Sequence, residues 1–330
     1  MTGRWVEPDV RDQVVNRVLY LKNNSHLSLS DLIKFLGIAR CKFYAWKDRY
    51  GKANRHNGKM PKRHWLTPEE VKTIVDYARK KVPDGSFFLK DGYRRLTYMM
   101  IDEDVAAASP ATVYRILKKE GLLNRWNTRR KGSKGSGYNQ PAKPHQEWHT
   151  DIKYVNYRGT FLFLISVMDG YSRYILHHEL RANMTEYDVE ITVQKALEKY
   201  PGHSARLISD NGSKYISKDF QVFLKETELQ HIRTSVAYPQ ANGKIERFHR
   251  SLEEECLRKT SMIDMQDARS QVAGYIAKYN CQRLHSSLYY LTPEDFLEGR
   301  VREKLDIREK KLDKATEDRV NYWESKKTIA

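Results

Sequence analysis

"EWHTDIKYVNYRGTFLFLISVMDGYSRYILHHELR", residues 147–181, decides the fold. β-Branched and aromatic residues crowd the segment and favour extended backbone. Two interruptions divide it, Arg158-Gly159 and then Asp169-Gly170 with Tyr171-Ser172. Both are turn chemistry, so the segment reads as three antiparallel strands in a meander.

Downstream, the hydrophobic period changes from segment to segment. "MTEYDVEITVQKALEKY" (184–200) reads as a helix, "ARLIS" (205–209) as a strand, "SKDFQVFLKET" (217–227) as a helix and "HIRTSV" (231–236) as a strand. "ANGKIERFHRSLEEECLRK" (241–259) then reads as one long helix, and a further helix is expected over about 264–284. Three antiparallel strands followed by αβαβα is the order of an α/β ribonuclease-H-like core, a mixed five-stranded sheet with helices. In that order the first and fourth strands are neighbours and the last helix packs across them.

Upstream, the pattern is all-helical. Val14, Val18 and Leu21 recur at helical spacing, and Ser30 is expected to cap a short helix bearing Leu32, Ile33 and Leu36. Gly37 turns the chain into a basic helix with Arg40, Lys42, Lys47 and Arg49 around Phe43 and Trp46. This is the layout of a helix-turn-helix, whose second helix enters the major groove. A second unit repeats the plan. Thr67 caps a helix with Pro68 at its first position and Glu69-Glu70 at the positive end of its dipole, and Ser109-Pro110 opens a later one.

Domain boundaries follow. A helix-turn-helix domain spans 1–58, a second helical, helix-turn-helix-like domain 59–123, and a basic linker 124–144. The catalytic core spans 145–262, and a C-terminal helical region with a charged, partly mobile tail spans 263–330. The linker "NRWNTRRKGSKGSGYNQPAKP" holds six Lys and Arg and no acid, with Arg129, Arg130 and Lys131 adjacent.

Charge points to the partner. The chain of 330 residues has a net charge of +17, and residues 1–150 hold 30 Lys and Arg against 15 Asp and Glu. Such asymmetry suits a polyanion, because basic side chains release counterions condensed on nucleic acid. No run approaches the ~20 apolar residues of a membrane span. Cys41, Cys256 and Cys281 form neither a metal-type pair nor a disulfide framework, which fits a reducing cytosol.

Three acids then stand out. Asp151 lies in the first strand on the face opposite Ile152, and Asp210 ends the fourth strand. Glu246 lies one to two turns into the long helix, with 35 residues between it and Asp210. After Asp210, Asn211-Gly212 tolerates positive φ and so can turn the chain sharply. Carboxylates converging at a sheet edge are what two-metal phosphoryl transfer on DNA needs, since hard cations take oxygen ligands. Asp169 reads as a turn residue and Glu253, Glu254 and Glu255 as surface charge. His149 shares a strand face with Asp151, in a packing role or near the site. Lys244 and Arg247, with Arg250, are candidates to hold a DNA phosphate, and Asn242 is a candidate helix cap.

"HTDIKY" (149–154), "SDNGSKY" (209–215) and "YPQANGKIERFHRSLEEE" (238–255), at that spacing, resemble the catalytic core of retroviral-type integrases and bacterial insertion-sequence transposases. "YNCQRLHSSLYYLTPEDFL" (279–297) is similar to the segment after that core, and "GYRRLTYMM" (92–100) to a region before it. The resemblance covers about residues 67–300. It implies Asp151, Asp210 and Glu246 as catalytic metal ligands for two Mg²⁺ (or Mn²⁺) ions per active site. It also implies DNA strand cleavage and transfer on double-stranded DNA, at element ends and target, by a homo-oligomer that synapses two ends. The zinc-binding module of viral integrases is replaced here by helix-turn-helix units, which favours a cytoplasmic, nucleoid-associated transposase. A non-catalytic DNA-binding repressor, a decayed transposase, or a nuclease of the same fold without strand transfer are the alternatives.

Overall fold

A computed structural model describes residues 6–52, 62, 64–82, 92–123, 140–203, 205–227, 229–233 and 242–328. Three helices, α1 (Pro8–Asn23), α2 (Leu29–Phe35) and α3 (Arg40–Lys47), enclose the first apolar cluster. Val15, Val18, Ile33, Phe43 and Trp46 fill it, with Val14 and Leu21 partly buried against it. Ser28, not Ser30, caps α2, its Oγ accepting from the Asp31 amide at 3.2 Å. Gly37 takes φ +64° between α2 and α3, where a side chain would be strained.

The second unit comprises α4 (Pro68–Lys80), α5 (Tyr93–Asp102) and α6 (Pro110–Lys119) around Ile74, Ala78, Leu96, Met100, Val113 and Leu117. Thr67 and Glu70 form a full capping box, with Thr67 N donating to Glu70 Oε2 at 2.8 Å.

The sheet has the expected topology. Its strands are β1 (Glu147–Tyr157), β2 (Thr160–Asp169), β3 (Ile175–Arg181), β4 (Arg206–Ser209) and β5 (Gln230–Arg233), in spatial order β3-β2-β1-β4-β5. The first three are antiparallel, whereas β4 runs parallel to β1 and to β5. This is the mixed sheet of the ribonuclease-H-like fold. The part of the expected fifth strand beyond Arg233 lies outside the described residues.

Side chains alternate across β1 and divide the core in two. On one face Trp148, Ile165, Val167 and Leu207 pack under α7 (Glu186–Lys199), the short α8 (Ser213–Ile216) and α9 (Lys218–Glu226). On the other, Val155, Leu164 and Met168 meet α10 (Gly243–Leu252) and α11 (Met265–Cys281). Ile245, Phe248, His249 and Leu252 form the buried stripe of α10.

The expected single helix over 241–259 does not run through. After Leu252 the chain widens into a π turn, Glu253–Leu257, which points Glu255 at Arg283 and Tyr275. Arg283 Nη2 lies 2.7 Å from Glu255 Oε1 and the Tyr275 hydroxyl 3.0 Å from Oε2. Glu255 is thus an interior ion-pair partner, not surface charge. Burial opposes its charge, but Arg283 holds its carboxyl below the usual range.

Beyond α12 (Pro293–Leu297) the tail forms α13 (Val301–Thr328). It is docked on the second helical unit, so the expectation of a partly mobile tail is corrected. Arg308 and Arg319, buried at 4% and 6% exposure, are what hold it. Among the described residues no helix is long and apolar enough to cross a membrane.

Candidate active site

Register places the two aspartates together. The last β1–β4 pair is His149 with Ile208, so Asp151 and Asp210 each stand two residues further along, Asp151 within β1 and Asp210 just past the carboxyl end of β4. β4 stops at Ser209 because Asp210 begins a turn, its Oδ1 accepting from the Gly212 amide at 2.9 Å. Gly212 has φ −58°, so the positive-φ reason expected for it does not apply. Space is the reason. A Cβ there would lie 2.9 Å from Asp210 Oδ1.

Tyr215 lies beneath both carboxylates, fully buried, with its hydroxyl 3.2 Å from Thr150 Oγ1. Burial first, and then the charges of Asp151 and Asp210, push its pKa up. Asp151 Oδ1 also accepts from the Ile152 amide at 2.9 Å.

α10 crosses the same face. Glu253, just past its end, pairs with Lys153 at 3.0 Å, and one turn earlier His249 Nδ1 lies 3.4 Å from Asp151 Oδ2. Another turn back along that side is Glu246, exposed at the surface. The strand and helix therefore run past one another with their acids at the same end. His249 escaped the sequence reading, yet its place three residues after Glu246, beside Phe248 on the apolar stripe, was a usable signal.

Lys244 does not project to the surface with Arg247. Its Nζ donates to the Gly170 carbonyl at 2.9 Å, and burial, followed by the nearby Arg173 charge, lowers its pKa to about 7. The first turn of α10 is thereby tied to the β2–β3 turn. Gly170 sits against His149, where a Cβ would meet Nε2 at 2.8 Å and the Glu147 carbonyl at 3.0 Å. His149 is fully buried, held well below its usual pKa by burial and then by Lys244 and Arg173. It packs and does not reach the site surface. Asp169 is structural, as expected. Its Oδ1 accepts from the His145 amide at 2.8 Å and its Oδ2 from the Ser172 amide at 2.7 Å. Asn242 occupies the N-cap position of α10 but makes no side-chain cap bond.

A cationic seam was not legible in the sequence. Arg283, Arg173, Arg95 and Arg247 surround His285 closely enough that, after burial, their charges press its pKa down to about 3. Arg95 comes from α5 and Arg247 from α10.

The remaining candidates are apart from this centre. Arg40, Lys42 and Lys47 lie on α3, with the Arg40 guanidinium 5.9 Å from the Tyr44 ring centroid and Lys42 Nζ 5.0 Å from that of Trp46. Arg250 is exposed on α10. Arg129, Arg130 and Lys131 lie outside the described residues.

In chemical type the donor set, two carboxylates from adjacent strands and one from α10, fits a hard divalent cation. The spacing here is open: among the described residues no three His, Cys, Asp or Glu side chains stand close enough to hold a metal ion. Like charges repel without a cation between them, and residues 234–241, which lead into α10, lie outside the described set.

Two integrase core domain families match the chain, one over residues 141–239 and the other over 227–293. The chain is 26% identical over 290 residues to the transposase InsF for insertion sequence IS3A of Escherichia coli, covering 83% of this chain and 96% of that one. It is 28% identical over 187 residues to an uncharacterized protein of insertion element IS136 from Agrobacterium fabrum, covering 54% and 96%. Among solved structures, a simian T-cell lymphotropic virus intasome is similar at TM-score 0.44 and 17% identity, over 62% of this chain and 70% of that one. The HTLV-2 integrase catalytic core in complex with magnesium is similar at TM-score 0.39 and 16% identity, over 47% and 97%.

Proposed function

The chain belongs to the bacterial insertion-sequence transposases with an integrase-type core, and from that premise we propose that it cuts and joins DNA at the ends of its own mobile element. One observation carries this reading. Asp151 in β1 and Asp210 just past the end of β4 stand in matched register on adjacent parallel strands, and the helix that bears Glu246 packs on β1.

In this reading Asp151, Asp210 and Glu246 hold two Mg²⁺ or Mn²⁺ ions. When bound, such ions stabilise charge on the attacking and leaving oxygens of an in-line displacement. The chain's own residues do the rest. His249 steadies the Asp151 carboxylate, and Lys244 fixes the start of α10 so that Glu246 faces the two aspartates. Arg247 and Arg250, exposed on α10, take the DNA phosphates. Water first hydrolyses a phosphodiester at the element end, and the freed 3′-hydroxyl then attacks a target strand, releasing the opposing oxygen of the broken bond. No protein nucleophile takes part.

The helical units, residues 1–58 and 59–123, recognise the terminal inverted repeats. α3 presents Arg40, Lys42 and Lys47, while Arg129, Arg130 and Lys131 of the 124–144 linker follow the backbone. Because one site acts on one end, two or more copies synapse a pair of ends, in the bacterial cytoplasm and at the nucleoid.

The test is strand transfer from pre-cleaved ends with Mg²⁺, with Asp210→Asn as control. Joined product from the wild type and none from the variant supports a transposase. Cleavage without joining replaces it with a nuclease, and binding alone with a repressor.

A further inference from the structure

α13 reaches from the catalytic unit to the second helical unit and makes its polar bonds in the seam between them. At its start Val301 and Leu305 pack on Leu288, Leu291 and Phe296 of the segment after the core. Two turns on, Arg308 joins three elements. Its Nε and Nη2 donate to Asp102 at the end of α5, at 2.7 and 2.6 Å. Its Nη1 and Nη2 donate to the Tyr289 and Tyr290 carbonyls at 3.1 and 2.7 Å. Those tyrosines are successive left-handed residues, with φ 50° and 57°. That conformation costs free energy for non-glycine residues and persists where the surroundings fix it. The same guanidinium lies 4.7 Å from the centroid of Tyr98, which stacks on Tyr290 at 5.0 Å.

Further along, Lys311 Nζ donates to the Ile101 carbonyl at 2.9 Å. Arg319 donates to both oxygens of Glu70, at 2.7 to 3.0 Å, and to the Ala107 carbonyl. Glu70 already closes the capping box of α4, so one carboxylate fixes the helix start and the docking together. Trp323 Nε1 ends the run on the Trp65 carbonyl at 2.8 Å. From Arg308 to Trp323 the helix rises about 22 Å. Bidentate arginine pairs of this kind specify orientation as well as binding.

We propose that α13 is a strut locking the second helical unit onto the catalytic unit, with Arg308 and Arg319 as positioning residues. They set how far the DNA held by the second helical unit lies from Asp151, Asp210 and Glu246, and so which phosphodiester is cut. This rests on the transposase reading given above.

The test compares full-length wild type with Arg308→Ala/Arg319→Ala, and with Arg319→Ala alone should the double variant not fold. Hydrogen exchange of residues 305–324 is expected to speed up at least tenfold in the variants and to be unchanged in α7. Affinity for an end duplex should stay within threefold, since no residue of the helical units is changed. Cleavage should spread from one phosphodiester to several neighbours and slow about tenfold, with Arg319→Lys restoring part of the precision. Unchanged exchange, or faster exchange with the same cleavage position and rate, overturns the strut. A wild type that cuts no DNA sinks the transposase reading alone. Small-angle scattering then judges the lock, expansion of the variant supporting it and an unchanged radius of gyration overturning it.

Discussion

His249 Nδ1 stands 3.4 Å from Asp151 Oδ2, a contact between the buried side of α10 and the middle of β1. It joins the helix carrying one of the proposed acids to the strand carrying another. Outer groups that orient a ligand side chain are typically worth 10–100-fold in metal affinity or activity. His249→Ala is therefore expected to lower strand cleavage about 10–100-fold, whereas His249→Asn, which can still donate, should lose less than about tenfold. Mg²⁺ titrations of both variants check this, and equal losses would remove the positioning role.

Asp151→Asn and Asp210→Asn should each abolish cleavage and joining while leaving the fold intact. Each removes one charge from a part-buried carboxylate that stands close to the other, so thermal midpoints should move little. Wild type is expected to gain thermal stability on adding Mg²⁺ by mass action, and chelation should reverse the gain. Either variant should lose that response. A full Mg²⁺ shift in both would count against these ligands.

Gly170→Ala places a methyl group 2.8 Å from His149 Nε2 and 3.0 Å from the Glu147 carbonyl. Overpacking of this kind typically costs about 1–3 kcal/mol. Urea unfolding should show a loss of that size, and His149→Ala in the same chain should recover part of it. Recovery is incomplete because the Glu147 carbonyl is backbone and cannot be trimmed.

Acid should weaken the fold in the range where histidines titrate. Burial, then the charges of His177 and Lys199, lowers His178 to about 4, and His285 is lowered to about 3. Both sit below the unfolded value of about 6.5. Between these values the unfolded chain binds protons that the folded chain refuses, so stability is complete above about 6.5 and falls as pH drops toward 4. By pH 5 the loss at His178 is on the order of 1–2 kcal/mol. Urea midpoints from pH 7.5 to 5 measure the slope, which His178→Gln should flatten. An identical slope in that variant would falsify the assignment.

The order of strands and helices was written in periodicity and turn residues, which act locally. Asp169-Gly170 closes its turn as the sequence implies, and Asp151, Asp210 and Glu246 were found by residue type and spacing. What the sequence left open required knowing which distant segments touch. Lys244 reads as a surface cation beside Arg247, but the fold draws it to the Gly170 carbonyl, 74 positions away. Glu255 looks like one of three solvated acids until the π turn delivers it to Arg283. The tail from Val301 has a composition typical of solvent-exposed charge. Only the tertiary structure pairs Arg308 with Asp102 and Arg319 with Glu70, 206 and 249 positions apart. Backbone preferences and apolar spacing belong to a residue and its near neighbours, so the sequence by itself settled the order of the elements and nominated their acids. A charge takes its partner from the whole fold, so the burial and pairing of these ions was decided in three dimensions.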